Sequence, residues 1–144
     1  MSVTIRHIAH ASHDYAMAVN LRRAVLRTPL GLDFTSAQLA AETTDTHLAA
    51  FEGEDLVATV VLSPYDDTTL KLRQMAVDDS QRGAGIGRHL LAAAEAFAKT
   101  QGKTRIILAA RVTAQAFYTA NGYVAEGEVF EEVTIPHITM CKTL

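Results

Sequence analysis

The sequence predicts an α/β fold in a single domain, residues 1–144. Two observations carry this. Short apolar runs with strand character alternate along the chain with longer segments of helical periodicity. A glycine-rich turn, Arg82-Gly83-Ala84-Gly85-Ile86-Gly87, joins one strand-like run to one strongly helical run. With 144 residues, 49% of them apolar, the chain is long enough to bury a core without division into domains.

Val3 to Ile8 alternates apolar with polar residues and reads as a first strand. Residues 12–27 form a helix containing Tyr15, Val19, Arg22, Arg23 and Leu26, and Pro29-Leu30-Gly31 breaks it. Ser36 caps a second helix running to about Thr43. Two strands follow, His47–Glu52 and Leu56–Leu62, joined by a tight turn at Gly53-Glu54. Leu56–Leu62 is nearly continuous in apolar residues, as expected of a strand covered on both faces. Thr69–Val77 is the next strand, and its alternation breaks: Leu70 and Leu72 share one parity, Met75 and Val77 the other. One extra residue near Arg73-Gln74 reconciles the two halves, the sequence trace of a β-bulge. After the glycine turn, Ile86, Leu90, Leu91, Ala94, Phe97 and Ala98 form one helical stripe ending at Gly102. Ile106–Ala109 reads as a buried strand, Ala114–Ala120 as a short helix stopped by Asn121-Gly122, and Glu126–Glu132 with Ile135–Lys142 as two closing strands.

Glycines at a strand-to-helix turn leave backbone N–H groups bare, and the first amides of a helix lack internal acceptors. Such a turn holds an anion, commonly a phosphate. A Walker loop is excluded because Arg88-His89 stands where Lys-Ser/Thr is needed. A dinucleotide fingerprint fails too, since Arg88 occupies the third small position and Gly102-Lys103-Thr104-Arg105 replaces the expected acidic residue. Lys71, Arg73, Arg82 and Arg88 gather nearby, and Arg82 and Arg88 suit phosphate contacts.

The remaining pattern, Arg82-x-x-Gly85-x-Gly87, resembles the pyrophosphate motif of the GNAT superfamily of acyl-CoA-dependent N-acyltransferases. The bulged strand before it, and the segment Ala114–Tyr123 with its Phe117-Tyr118 pair and Gly122-Tyr123 ending, resemble two further features of that family. The likeness is strongest over residues 54–125. It implies a mixed, mostly antiparallel sheet with helices on both faces and a bulged, splayed central strand. It also implies acetyl-CoA as co-substrate, with direct attack by an amine rather than a covalent acyl-enzyme. By resemblance, Met75, Ala76 and Val77 pair through their backbones with the pantetheine arm, and the Val77 N–H polarises the thioester carbonyl. The amides of Gly83, Ala84, Gly85, Ile86, Gly87 and Arg88 hold the pyrophosphate, and Tyr118 matches the general acid. Arg111 departs from the pattern, standing where many members have an Asn.

No motif fixes the general base. Glu42, His47, Glu131, Glu132 and His137 are candidates; the ending Gly127–Met140 resembles that of small bacterial GNAT proteins and favours Glu131 and His137. Glu131, Glu132 and Asp45 suggest a cationic small-molecule amine as acceptor. The unassigned base leaves a second reading, a catalytically silent CoA-binding or regulatory module, and a nucleotide is a remoter third. His7, His10 and His13 straddle a strand end and a helix start and do not converge, so no metal is expected. The net charge of −3 speaks against nucleic acid, and no apolar run suits a membrane span or a leader. The single Cys141 fits packing in a reducing compartment, so a cytoplasmic protein is expected, with a homodimer left open.

Overall fold

The structure is a computed structural model and describes residues 3–144. Seven strands form one sheet in the order β1-β2-β3-β4-β5-β7-β6: β1 Thr4–Ile8, β2 Thr46–Glu52, β3 Asp55–Pro64, β4 Thr69–Val77, β5 Arg105–Arg111, β6 Val124–Glu132 and β7 Ile135–Thr143. Every neighbouring pair is antiparallel except β4 and β5. The helices are α1 His13–Arg22, α2 Ser36–Ala40, α3 Ile86–Thr100 and α4 Gln115–Ala120. This is the mixed, mostly antiparallel arrangement that the sequence implied.

The two apolar faces of β2 explain its composition. Leu48 and Ala50 join the main core with Leu90, Leu91, Ala94 and Ala98 of α3. Ala49 and Phe51 point the other way, into a second cluster with Ile8 and Ala18 of α1. β3 is buried likewise, with Val57 to Leu62 at most 5% exposed. Burying each Leu of α3 contributes about 1.5–3 kcal/mol, so the periodic stripe is a major anchor of the fold.

The segment read as one helix over 12–27 changes pitch. Ser12 caps α1 by accepting the Tyr15 N–H at 3.1 Å, but after Arg22 the chain widens into a π-helical turn over Arg23–Arg27. Such turns concentrate at functional sites, and this one carries Leu26 and Arg27 to the edge of the cleft described below. The cap of α2 is Thr35 rather than Ser36. Its hydroxyl accepts the Gln38 N–H at 3.1 Å while the Gln38 amide oxygen accepts the Thr35 N–H at 2.9 Å, a reciprocal pair that Ser36 cannot make because it is already helical.

A buried ion pair ties these N-terminal segments together. Arg22 donates to both oxygens of Glu42 at 2.8 and 2.7 Å, and the Tyr15 hydroxyl adds a third bond at 2.8 Å. Burial pushes the Glu42 carboxyl up, but Arg22 and Tyr15 outweigh it and hold the group below its ordinary range. The same burial and the Glu42 charge push the Tyr15 phenol up to about 12.

The expected bulge lies in β4. Thr59 faces Ala76 and Val61 faces Arg73, so three steps on β4 oppose two on β3. Gln74 takes a φ of 54° within it. β4 pairs with β5 only from Thr69–Leu72 to Arg105–Leu108. Beyond Leu72 the strands part, and the β5 edge of Arg73–Val77 has no strand partner.

β6 is an exposed edge strand, irregular between Glu126 and Phe130, where Gly127 takes a φ of 75°. Its glutamates discourage edge-to-edge pairing with other chains. The two-residue turn into β7 is Val133-Thr134, with φ of 44° and 70°. Two positive φ values suit a hairpin turn of the I′ kind, normally built from Asn and Gly. A β-branched residue there is strained.

Candidate active site

The parting of β4 from β5 opens a cavity of about 880 Å³ lined from four parts of the chain. One end is the glycine turn. Gly83 and Gly85 take φ of 84° and 78°, a region glycine enters without strain. The first intrahelical bond of α3 runs from the His89 N–H to the Gly85 carbonyl at 3.1 Å, which leaves the amides of Gly85, Ile86, Gly87 and Arg88 without helical acceptors. Gly87 permits a close approach: a Cβ there would lie 3.3 Å from Phe117 Cζ, so that ring would have to shift slightly, and 3.8 Å from Val77 Cγ2. Bare amides, the positive end of a fifteen-residue helix and a surface without side chains fit a pyrophosphate.

Arg82 and Arg88 flank this end. Arg82 is exposed and donates to Asp79 at 2.8 Å, while the Arg88 guanidinium folds back over Gly85. Ala84 is set apart from the other glycine-turn residues. Its N–H is taken by the Gln81 carbonyl at 3.2 Å, and Ala84 does not line the cavity.

The middle of the cavity is β4 at the bulge. Met75, Ala76 and Val77 present the unpaired strand edge, opposite Ala109, Ala110 and Arg111 of β5. Tyr118 of α4 reaches this point; it is buried, and its hydroxyl is 3.9 Å from the Met75 sulfur. Burial pushes the phenol up to about 12, so it keeps its proton across the neutral range. Phe117 and Tyr123 pack on either side of it with ring centroids 5.1 and 5.8 Å away. Tyr123 is fixed by its bond to Glu95 at 2.9 Å, and that carboxylate also takes Lys142 at 2.9 Å.

The far end is formed by Leu26, Arg27, Arg73, Gln74, Arg111, Glu132, Val133 and His137. His137 is buried, pairs in register with Arg111 across β5 and β7, and stacks on Phe130. Its Nδ1 lies 2.9 Å from the Ile135 carbonyl. A carbonyl only accepts, so Nδ1 carries the proton of the neutral ring and Nε2 keeps a lone pair. That Nε2 is 3.7 Å from the Glu132 carboxylate.

Of the residues the sequence favoured as bases, His137 lines the cavity and Glu131 does not. Strand alternation explains the difference: Phe130 and Glu132 share the His137 face, and Glu131 points the other way. Glu42 is committed to Arg22, and His47 is buried with Nε2 3.1 Å from the Glu42 carbonyl. Neither lines the large cavity. Asp45 is engaged by Arg73 at 3.6 Å. Arg111 spends one donor on the Leu26 carbonyl at 2.7 Å. His7 packs edge-on to Phe97 and His10 on Tyr15, so the histidines diverge. The Cys141 thiol touches Arg105 at 2.8 Å, and burial pushes it up to about 11. It is outside the cavity and a poor nucleophile.

The cleft also takes in Arg27 and Val133, which the sequence does not single out, and Glu132 rather than Glu131. The one available signal was strand parity, which sorts Glu132 from Glu131 once the hairpin turn is placed at Val133-Thr134.

Comparison with known proteins agrees with this geometry. Residues 30–144 match the acetyltransferase (GNAT) domain family. The uncharacterized N-acetyltransferase YjcF of Bacillus subtilis is 33% identical over 97 residues, spanning 67% of this chain and 69% of its own. A protein of known structure from Lactobacillus plantarum superposes with a TM-score of 0.87 at 26% identity, over 100% of this chain and 99% of that one. An aminoglycoside 6′-N-acetyltransferase complexed with coenzyme A has the same fold, with a TM-score of 0.82 at 19% identity over 97% and 96% of the two chains. With a family match over most of its length and the bulged strand, glycine turn and aromatic helix in place, the chain belongs to the GNAT family and is an acyl-CoA-dependent acetyltransferase.

Proposed function

We propose that the protein transfers the acetyl group of acetyl-CoA directly to a primary amine on a small molecule. The supporting observation is the single cleft that runs from bare amides and arginines, past the buried Tyr118, to the Glu132–His137 pair. When bound, acetyl-CoA supplies an acyl carbon activated as a thioester.

The amides of Gly85 to Arg88, with Arg82 and Arg88, hold the pyrophosphate. The free edge of Met75–Val77 takes the pantetheine arm, and the Val77 N–H polarises the thioester carbonyl. His137 Nε2 accepts the proton of the incoming ammonium group, and Glu132 stabilises the resulting imidazolium. The amine nitrogen then bonds to the acyl carbon as the carbon–sulfur bond breaks, and it sheds its second proton, which restores the Tyr118 phenol once that group has protonated sulfur. Tyr118 donates its proton to the departing thiolate, which would otherwise be an unpaired charge among apolar groups. The aminoglycoside enzyme of the same fold acts on an amine of this general kind, in keeping with a small-molecule acceptor here.

Thermal unfolding with acetyl-CoA, CoA, ATP and NAD at equal concentration, followed by CoA release against a panel of amines, tests the proposal. A ligand at about 100 times its Kd adds about 2.7 kcal/mol, a rise of several degrees. Stabilisation by acetyl-CoA and CoA alone, with CoA released by some amine, is the expected result. A larger shift with ATP or NAD overturns it. CoA binding without turnover of any amine replaces the enzyme with a silent binding module.

A further inference from the structure

We infer that the amine acceptor carries an anionic group, a carboxylate or a phosphate, held between Arg27 and Arg111 at the far end of the cleft. The inference rests on the acetyltransferase reading and specifies its substrate.

The far end is rich in arginine, and only part of that charge has an ion-pair partner. Arg22 is matched by Glu42 and Arg73 by Asp45. Arg27 and Arg111, among the described residues, pair with no carboxylate. Arg27 reaches the Leu26 carbonyl at 3.2 Å, and Arg111 reaches the same carbonyl at 2.7 Å. Two half-buried guanidiniums therefore converge on one neutral oxygen and line the cavity together. Each retains further donors in a fixed planar fork, which suits a carboxylate or phosphate. Burial and the nearby Arg111, Arg22 and Arg73 lower the pKa of Arg27, with Glu132 offsetting them only in part, and burial lowers that of Arg111, so an anion between them would be bound favourably.

The site is also built to hold its shape. The Arg27 guanidinium lies 4.6 Å from the Phe34 ring centre, and Arg22 lies 4.7 Å from the same ring. Phe34 thus serves both cations and fixes the plane of Arg27. Gln74, in the bulge, has a buried side-chain oxygen with no partner, and its residue lines this end of the cleft. That oxygen can accept from an ammonium group. Glu132, the acidic residue lining this cavity, is turned to His137 at 3.7 Å. An acceptor with an amine for the Glu132–His137 side and an anion for the arginine side matches both. The cationic acceptor suggested by Glu131, Glu132 and Asp45 does not: Glu131 faces away, Asp45 is already paired, and three arginines line the wall.

The test compares three acceptors of similar length: an amino acid, an aminoalkyl phosphate and the parent alkylamine. Either anionic acceptor should exceed the alkylamine in kcat/KM by about 10- to 100-fold, and whichever of the two leads identifies the anion. In Arg27→Gln and Arg111→Gln that ratio should fall toward one, with the loss in KM for the anionic acceptor. A preference for the uncharged or a polycationic amine overturns the inference, as do variants that keep the ratio and raise KM for acetyl-CoA instead. A second measurement needs no turnover: calorimetric binding of the three N-acetylated products to the CoA-saturated protein. The anionic products should bind at least about tenfold tighter than the neutral one. Tight anionic binding without acetylation of any amine leaves the inference standing and removes the proposed reaction. Acetylation of amines regardless of charge does the reverse.

Discussion

Replacing Tyr118 with Phe should separate chemistry from stability more cleanly than any other change in this site. The hydroxyl is buried, and its hydrogen-bond partner is the Met75 sulfur at 3.9 Å, a weak acceptor. Removing it leaves no strong donor or acceptor stranded, so the unfolding free energy should change by less than about 0.5 kcal/mol. With 144 residues and about 2.1 cal/mol/K of unfolding entropy per residue, each kcal/mol moves the melting temperature by about 3 °C. The variant should therefore melt within about 2 °C of the wild type. Turnover should fall about 10²- to 10⁴-fold, which adds about 2.7–5.5 kcal/mol to the barrier. The phenol stands at about 12, so the wild-type rate should not decline through loss of this proton below about pH 11. The assay is free CoA released from acetyl-CoA and a saturating amine, followed from pH 6 to 10 beside thermal unfolding. A Tyr118→Phe enzyme within threefold of wild-type kcat would refute the assignment. A drop in melting temperature of several degrees would show that the hydroxyl holds the fold rather than the proton.

Three further substitutions follow from the same geometry. His137→Gln should lower kcat/KM about 10²-fold at neutral pH. The deficit should shrink toward pH 10, where an alkylamine of pKa about 10.4 deprotonates unaided; a deficit constant with pH would remove His137 as the base. Glu42→Gln breaks the buried pair with Arg22 and should cost about 3–5 kcal/mol, or about 10–15 °C in melting temperature. Because the folded Glu42 is held below its ordinary 4.5, the pair's contribution is full above that pH and fades as pH falls further, so the variant should lose part of the wild type's acid sensitivity. Val133→Asn should raise the melting temperature by about 3 °C, since Asn accepts the positive φ of the turn at about 1 kcal/mol less strain. Its KM for the acceptor should change, because residue 133 lines the cleft.

The legible and illegible parts of this molecule differ in how they are assembled. Residues 69–100 form a strand, a turn and a helix in unbroken succession, and each left a local trace: the parity break at Arg73-Gln74, the glycines, the periodic Leu90, Leu91 and Ala94. Local rules read such segments well. The far wall of the cleft joins Arg27, Arg111 and the Glu132–His137 hairpin from three separate stretches of chain. No spacing rule links those residues; only the sheet order does. The resemblance of the ending Gly127–Met140 favours Glu131, whereas the turn left between the strands at Val133-Thr134 puts Glu132 on the His137 side; only the sheet order shows that this side faces the cleft. The widened turn at Arg23–Arg27 was hidden too, since π and α turns draw on the same residues.

The join between β4 and β5 consists of four residue pairs, Thr69–Leu72 with Arg105–Leu108. It is a seam between two jaws, β1 to β4 on one side and β5 to β7 on the other. Parallel pairing over so few residues is a thin join, and α3 is the beam that ties the jaws through the shared core. The Tyr118 hydroxyl and the Met75 sulfur meet across this gape, one from each side. The width of the gape therefore sets how far the Tyr118 hydroxyl stands from the free edge of β4, the distance over which the proposed proton transfer would run. Changes that loosen the seam or shorten α3 should detune that distance while leaving every residue of the site in place.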